Sequence, residues 1–308
     1  MDQTTNYRDE KTDIDEAAGR PGPHPVEGVT VWNPAQYERA AGFVAGELGA
    51  DLIDWVGDAA FAGRSVLDLG CGDGDLSRRL LDRGAGVFGV DSSAEMIAAA
   101  RARGIQAIIL DARDVGELAD REVARGDSGE RDARKDAKGF AAFDTVFTNA
   151  TLHWIAEKDR VVAGVRRVLK PGGVFAGEFG GGANVGMIQE AVREANREVF
   201  GDASGASVAP VRFPWFFITD SELRGILEAH GFRVDRLLMF ERRPVLPQGV
   251  VGWLETFGSA FFSDGQRSPA EKRKVWELAQ AKLKARLFYD GVWHADYVRL
   301  RFCAVLAG

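Results

Sequence analysis

Cysteine is nearly absent from this 308-residue chain: Cys71 and Cys303 are the only two. Two are too few for a disulfide framework or a four-cysteine zinc cluster, and no metal site is expected. Basic charge is also short, 39 Lys and Arg against 46 Asp and Glu, for a net charge of -7. Those bases are interspersed with acids, whereas neutralising a phosphate backbone needs them clustered, so no nucleic-acid partner is expected. No apolar run approaches the length that spans a bilayer, and the polar start lacks the apolar stretch of a signal peptide. The expected address is cytoplasmic, without a membrane partner. Apolar residues are plentiful at 45%, enough for a sizeable core in one large domain or two small ones.

The rest of the chain is organised around residues 65–76. Val66, Leu67 and Leu69 make a short apolar strand, cut off by Gly70, Gly72 and Gly74. Leu76, Leu80 and Leu81 then share one helical face. Strand, glycine turn and helix open a nucleotide-binding unit in which backbone approaches a ligand closely. A dinucleotide fingerprint would place its third glycine at position 75, which is Asp75. Asp73 and Asp75 then stand where a pyrophosphate would bind. Like charges about 4 Å apart repel by roughly 4 kcal/mol at an effective dielectric of 20, so this turn suits a cationic nucleoside better than a nicotinamide dinucleotide.

The run Val66-Leu67-Asp68-Leu69-Gly70-Cys71-Gly72-Asp73-Gly74 resembles the first motif of class I S-adenosylmethionine-dependent methyltransferases. The downstream pieces fall in order. Residues 86–91 are a second apolar strand ending in Asp91, about twenty residues on, where an acid accepts ribose hydroxyls or simply caps the next helix. Ser92 or Ser93 opens that helix, ahead of Met96. Residues 107–112 form a third strand ending at Asp111 and Ala112, suited to an adenine amino group; residues 143–150 form a fourth, and residues 170–173 precede a fifth. A narrower resemblance, to trans-aconitate 2-methyltransferases, rests on Trp32-Asn33-Pro34 with Tyr37, on residues 149–154, and more loosely on residues 246–254. It covers most of the chain from about residue 31.

That resemblance implies an α/β fold: a doubly wound, mostly parallel seven-stranded Rossmann-like sheet with an antiparallel last strand and a helical cap. Residues 1–26 are expected to be a disordered tail. Residues 27–308 form the methyltransferase domain, with a solvated charged insertion at 118–140 and cap segments at 183–219 and 245–292. Helices are expected over 188–200, 247–262 and 269–287, a fifth strand over 173–179, a sixth over 232–240 and the last over 297–305. The implied cofactor is S-adenosylmethionine, held by Tyr37, Asp68, Gly70, Cys71, Gly72, Asp91, Ser92, Met96, Asp111, Ala112, Asn149 and Ala150. Tyr37 either folds over the nucleoside or staples the core with Trp32; Asp68 acts indirectly, by ordering the turn.

For the acceptor, a small molecule methylated on oxygen, the chemistry leaves two forms open. A carboxylate is already ionised near neutrality, whereas a hydroxyl gains from a general base. His153, just past the fourth strand, is the candidate base or a packing residue; His294 and Glu178 are weaker candidates. Trp154 would wall the site, or be core. Arg212, Arg299 and Arg301 are candidate anchors for a carboxylate, with Tyr297, Arg299 and Arg301 on one face of the last strand; the alternative is solvated edge charge. Residues 213–218 with Trp253, Phe257, Phe261 and Phe262 make a strongly aromatic cap that also suits a bulkier, flatter acceptor. The competing activities are a nicotinamide-dependent oxidoreductase, a non-catalytic nucleoside-binding module and, least favoured, an aminopropyl transferase. Oligomeric state has no signal in the sequence.

Overall fold

The computed structural model describes residues 49–120, 143–201, 210–262 and 267–308. The expectations for the tail, for Trp32 and Tyr37, and for residues 121–140 of the charged segment lie outside the described residues.

Helices and strands alternate through the first half as the apolar spacing demands. The order is α1 (Gly49–Val56), β1 (Ser65–Leu69), α2 (Asp75–Asp82), β2 (Gly86–Asp91), α3 (Ala94–Ala102), β3 (Gln106–Ile109), β4 (Phe143–Asn149), α4 (Lys158–Val168) and β5 (Leu169–Gly180). Then follow α5 (Gly186–Phe200), α6 (Asp220–Ala229), β6 (Phe232–Arg242), β7 (Val245–Leu246), α7 (Gly249–Phe257), α8 (Pro269–Leu287), β8 (Phe288–Tyr289), β9 (Val292–His294) and β10 (Tyr297–Leu306). Seven strands make one sheet in the order β3-β2-β1-β4-β5-β10-β6. Pairing is parallel from β3 through β5, and β10 runs antiparallel to both β5 and β6. This is the expected Rossmann-like sheet with its antiparallel last strand.

Local chemistry fixes the helix starts. Ser93, not Ser92, caps α3, its hydroxyl accepting from Met96 N at 3.2 Å. Thr219 with Glu222, and Ser268 with Glu271, form reciprocal capping boxes on α6 and α8, with Pro269 in the first turn of α8. Among the described residues four apolar clusters hold the layers, the smallest joining Ile97 and Ala100 of α3 to Cys71, Ile105 and Ala107. Leu67, Val146, Phe175 and Phe302 of the sheet pack with Val161 and Val165 of α4 and Leu223 of α6. On α1 and α2, Leu52 and Leu80 meet Phe61, Val66 and Phe147. The cap has its own core, with Val192 of α5, Leu254 of α7 and Trp276 and Leu283 of α8.

The structure corrects the expected layout in three places. The Pro-Gly-Gly turn at 171–173 lies within the fifth strand: Leu169 pairs with Phe143, Val174 pairs with Thr145, and the residues between loop out of the ladder. Gly249–Phe257 is shorter than the helix expected over 247–262, and a 3-10 turn, Gly258–Phe261, finishes it. A small antiparallel sheet, β7-β9-β8, escaped the sequence because two- and three-residue strands are too short to show a period. Its one readable signal is Asp290-Gly291, both at positive φ (53° and 77°), joining β8 to β9 as a tight hairpin turn.

Candidate active site

β1 sits between β2 and β4, the point where strand order reverses and ligands bind beyond the strand ends. A cavity of about 390 Å³ opens there. At one end it is lined by the glycine turn and the ends of β2 and β3, at the other by His153, aromatic cap residues and the start of β10.

Two glycines in the turn are required for different reasons. Gly70 has φ 76°, and a Cβ there would come within 2.1 Å of Thr151 Oγ1, so bulk is excluded by the protein itself. Gly72 has φ 55°, lines the cavity, and a Cβ there would meet no protein atom within 4 Å. The space beside Gly72 therefore fits a ligand's backbone-bound portion. Cys71 lines the same turn, and a Cβ on Gly89 would lie 2.7 Å from its sulfur. Burial pushes its thiol far above the ordinary range, with Asp68 and Asp91 adding to the rise, so Cys71 fills space and is inert.

The turn is acidic, but not through the residues that the sequence suggests. Asp73 lies 2.8 Å from Arg103 Nη2, and Asp75 lies 3.2 Å from Arg79 Nε. Each carboxylate faces a guanidinium, which offsets part of the expected repulsion toward phosphate. The buried pair Asp68 and Asp91 carries the effect instead. Burial pushes the Asp68 carboxyl up to about 7, opposed by the Ser77 hydroxyl at 2.5 Å and reinforced by the charge of Asp91. Burial raises Asp91 as well, partly offset by N–H donors from Ser93 (2.9 Å) and Gly72 (3.0 Å). A cationic ligand relieves both; an anionic one worsens both.

Asp68 makes this testable without ligand. A carboxyl raised from 3.8 to about 7 holds an extra proton in the native state across that window. Its contribution to stability is therefore present at low pH and falls as pH rises from about 4 through about 7. The Asp68→Asn variant, in which the Ser77 hydroxyl still has an acceptor, should show a flatter profile of unfolding free energy over that range than the wild type. Identical profiles would mean that Asp68 is not desolvated.

Past β3, Asp111 caps the 3-10 segment Ala112–Ala119. Burial works to raise its carboxyl, but Arg113 outweighs that, donating from its backbone N (2.8 Å), Nε (2.9 Å) and Nη2 (2.7 Å), and the net shift is downward. Arg113 lines the cavity and was not anticipated, although its spacing from Asp111 was readable. Two further residues carry backbone strain: Ala150 at φ 56° and Val185 at φ 51°, both lining the cavity. Such non-glycine conformations cost on the order of 1–3 kcal/mol and collect at functional sites. Their backbone N–H groups donate to Glu178 O (2.8 Å) and Asp296 O (2.9 Å), which hold them in place.

At the far end, Trp154, Trp215, Phe217, Trp253 and Phe257 line the cavity with Tyr297. Trp253 Nε1 donates to the Tyr297 hydroxyl at 2.8 Å, and burial pushes that phenol up to about 12. Residues 215–217 are pinned over the site from outside: Phe216 N donates to His153 O (2.8 Å), and Lys158 Nζ donates to Phe216 O (2.6 Å). His153 is buried, and its Nδ1 accepts from Gly180 N at 3.1 Å. Arg299 is buried on β10, its Nε 2.9 Å from Glu178 Oε1.

The structure thus gathers Asp68, Gly70, Cys71, Gly72, Asp91, Ser92, Met96, Asp111, Ala112, Asn149 and Ala150 around one cavity, with His153, Trp154, Trp253 and Arg299. Tyr37 lies outside the described residues. Arg212 does not join them: its side chain is exposed, and its backbone N donates to Phe261 O at 2.9 Å. Glu178 and His294, the weaker base candidates, also stand apart from the lining. Glu178 is enclosed between Arg299 and Arg301, and His294 stacks on Tyr289 at 3.9 Å with Nδ1 on Arg243 O. Nor are Arg299 and Arg301 edge charges, since β10 is an interior strand and both side chains are buried.

Residues 67–175 match the family model described as a methyltransferase domain. The chain is 31% identical to the uncharacterized methyltransferase C70.08c of Schizosaccharomyces pombe, over 89% of this chain and 97% of that one. It is 28% identical to the trans-aconitate 2-methyltransferase of Deinococcus radiodurans, again over 89% and 97%. Among solved structures, the N-methyltransferase 2 of Haemonchus contortus with phosphomonomethylethanolamine and S-adenosylhomocysteine superposes with a TM-score of 0.53 at 18% identity, over 91% of this chain and 59% of that one.

Proposed function

Because the chain belongs to the class I S-adenosylmethionine-dependent methyltransferases, we propose that it moves a methyl group from S-adenosylmethionine to an oxygen of a small-molecule acceptor by in-line displacement. The observation that carries this reading is one continuous cavity with two chemically distinct ends, buried carboxylates at one and an aromatic chamber with an arginine at the other. When bound, the cofactor supplies an electrophilic methyl group on a positively charged sulfur.

The protein's own part is to bind, orient and keep water out. Gly72, beside which a Cβ would meet no protein atom, lets the backbone come close to the amino-acid portion of the cofactor, while the N–H groups of Gly70 and Gly72 are already donated to Val90 O and Asp91 Oδ2. Asp91, already tied to the Gly72 and Ser93 amides, would take the ribose hydroxyls, and Asp111, fixed by Arg113, the adenine amino group. Asp68 and Asp91 together favour positive charge at this end. Asn149 and the strained Ala150 sit between the two ends by sequence and line the shared cavity. The residues 215–217, held by His153 O and Lys158, form a wall that keeps bulk water from the transfer site. Fold similarity alone leaves the acceptor atom open; the oxygen assignment rests on the likeness to trans-aconitate 2-methyltransferases and on Arg299.

Calorimetry with S-adenosylmethionine, S-adenosylhomocysteine and NAD in parallel tests the cofactor end. Heat is expected with the first two and none with NAD. A mass-spectrometric screen of small acids, phenols and alcohols then looks for a product heavier by one CH2. Heat with NAD alone would overturn the reading.

A further inference from the structure

Building on the methyl-transfer reading, we infer that the acceptor is a monocarboxylate carried on an apolar, flat body, and that the product is its methyl ester. Three independent features of the acceptor end lead there.

The first is an incomplete guanidinium. Glu178 Oε1 accepts from Arg299 Nε at 2.9 Å and its Oε2 from Arg301 Nε at 2.6 Å, so the carboxylate is fully used between two arginines. Arg299 Nη2 is buried and has no hydrogen-bond partner among the described residues. A buried donor of this kind is costly unless a ligand oxygen completes it, and Arg299 lines the cavity. The second is the tautomer of His153. Burial, with the positive charges of Arg299 and Lys158, holds the ring neutral, and Nδ1 already accepts the Gly180 N–H. The remaining proton therefore sits on Nε2, which makes His153 a donor and not a base. Among the described residues at the acceptor end, His153 then offers a hydroxyl acceptor no site for its proton. A carboxylate needs none: its oxygen supplies the electron pair of the new C–O bond, the pair of the broken C–S bond stays on sulfur, and no proton is transferred.

The third feature limits the number of carboxylates. Among the described residues lining the cavity, the bases are Arg113 and Arg299, against the acids Asp68, Asp73, Asp91, Asp111 and Glu157. Arg113 is already bidentate on Asp111. Among the described residues one cation, Arg299, remains at the acceptor end, and a second or third carboxylate would find no further charge there, only neutral groups such as His153, Asn184 and Tyr297 among the rings of Trp154, Trp215, Phe217, Trp253 and Phe257. Those rings suit an aryl or long alkyl body.

The test uses the whole chain and its own cavity tryptophans as reporters. S-adenosylhomocysteine is titrated first, then 3-phenylpropanoate, 3-phenylpropanol and trans-aconitate are each titrated into the loaded protein while fluorescence is followed. 3-Phenylpropanoate should saturate at a concentration at least tenfold below either of the others, and Arg299→Met should erase that preference while leaving the S-adenosylhomocysteine titration unchanged. Tighter binding of trans-aconitate, equal binding of the alcohol, or no binding by a panel of aryl and alkyl monocarboxylates overturns the inference, and the wild-type chain alone gives that answer. Absence of S-adenosylhomocysteine binding is a different failure and removes the cofactor reading itself.

Discussion

Glu178→Ala should lose about 3–5 kcal/mol of unfolding free energy, the range for removing one partner of a buried ion pair. Glu178 is completely buried, and the substitution leaves the guanidinium groups of both Arg299 and Arg301 in the interior without their carboxylate. Ring contacts soften the loss, since Arg301 lies over Trp55 (5.5 Å) and Phe240 (5.2 Å), but they replace neither hydrogen bond. The matched control is Asp82→Ala, which breaks the exposed pair with Arg78 on α2. Exposed pairs contribute about 0–1 kcal/mol, so that variant should stay close to wild type. Urea unfolding of the two variants beside the wild type reads the contrast directly. Equal losses would mean that water reaches the Glu178 site.

Asp91→Ala should weaken S-adenosylmethionine binding by about 1.5–3 kcal/mol, the scale of hydrogen bonds to a charged group, or roughly ten- to 150-fold in Kd. Two effects combine. The ribose loses its acceptor, and the Gly72 N–H, now held by Asp91 Oδ2 at 3.0 Å, loses the tie that fixes the glycine turn. Asp91→Asn removes the negative charge but keeps only one of the two acceptors, since Gly72 N donates to Oδ2 and Ser93 N to Oδ1, and the amide NH2 then faces one of these donors. Its melting temperature should fall by less than that of Asp91→Ala, because burial already disfavours the charge and one N–H keeps its acceptor, while its affinity for the cationic cofactor should still fall. Isothermal titration on both variants decides the matter; unchanged affinity in Asp91→Ala would rule out its role at the ribose.

Much of the cofactor end was legible because it is local. Strand, glycine turn and helix follow one another within residues 65–82, and an acid at the end of β2 is placed by a twenty-residue spacing. The electrostatic reading of that turn rested on Asp73 and Asp75, whereas the structure pairs both with arginines and buries Asp68 and Asp91 beside it. Asp73 and Asp75 were visible beside the turn, but Arg103, thirty positions from Asp73, was not visible as its partner. Burial, which raises Asp68 and Asp91, has no signature in a run of letters. At the acceptor end, chain order suggested Arg212 as readily as Arg299, and only the packing separates an exposed side chain from an enclosed one.

By itself the sequence determined the sheet and the residues lining the glycine-turn end of the cavity, because these rest on short-range periodicity, capping and glycine conformation. The tertiary structure alone decided that His153 accepts through Nδ1 and that Arg299 Nη2 has no partner among the described residues. The reason is distance along the chain. The Gly180–His153 bond spans 27 residues and the Glu178–Arg299 bond 121, and such contacts exist only once β4, β5 and β10 are aligned in one sheet.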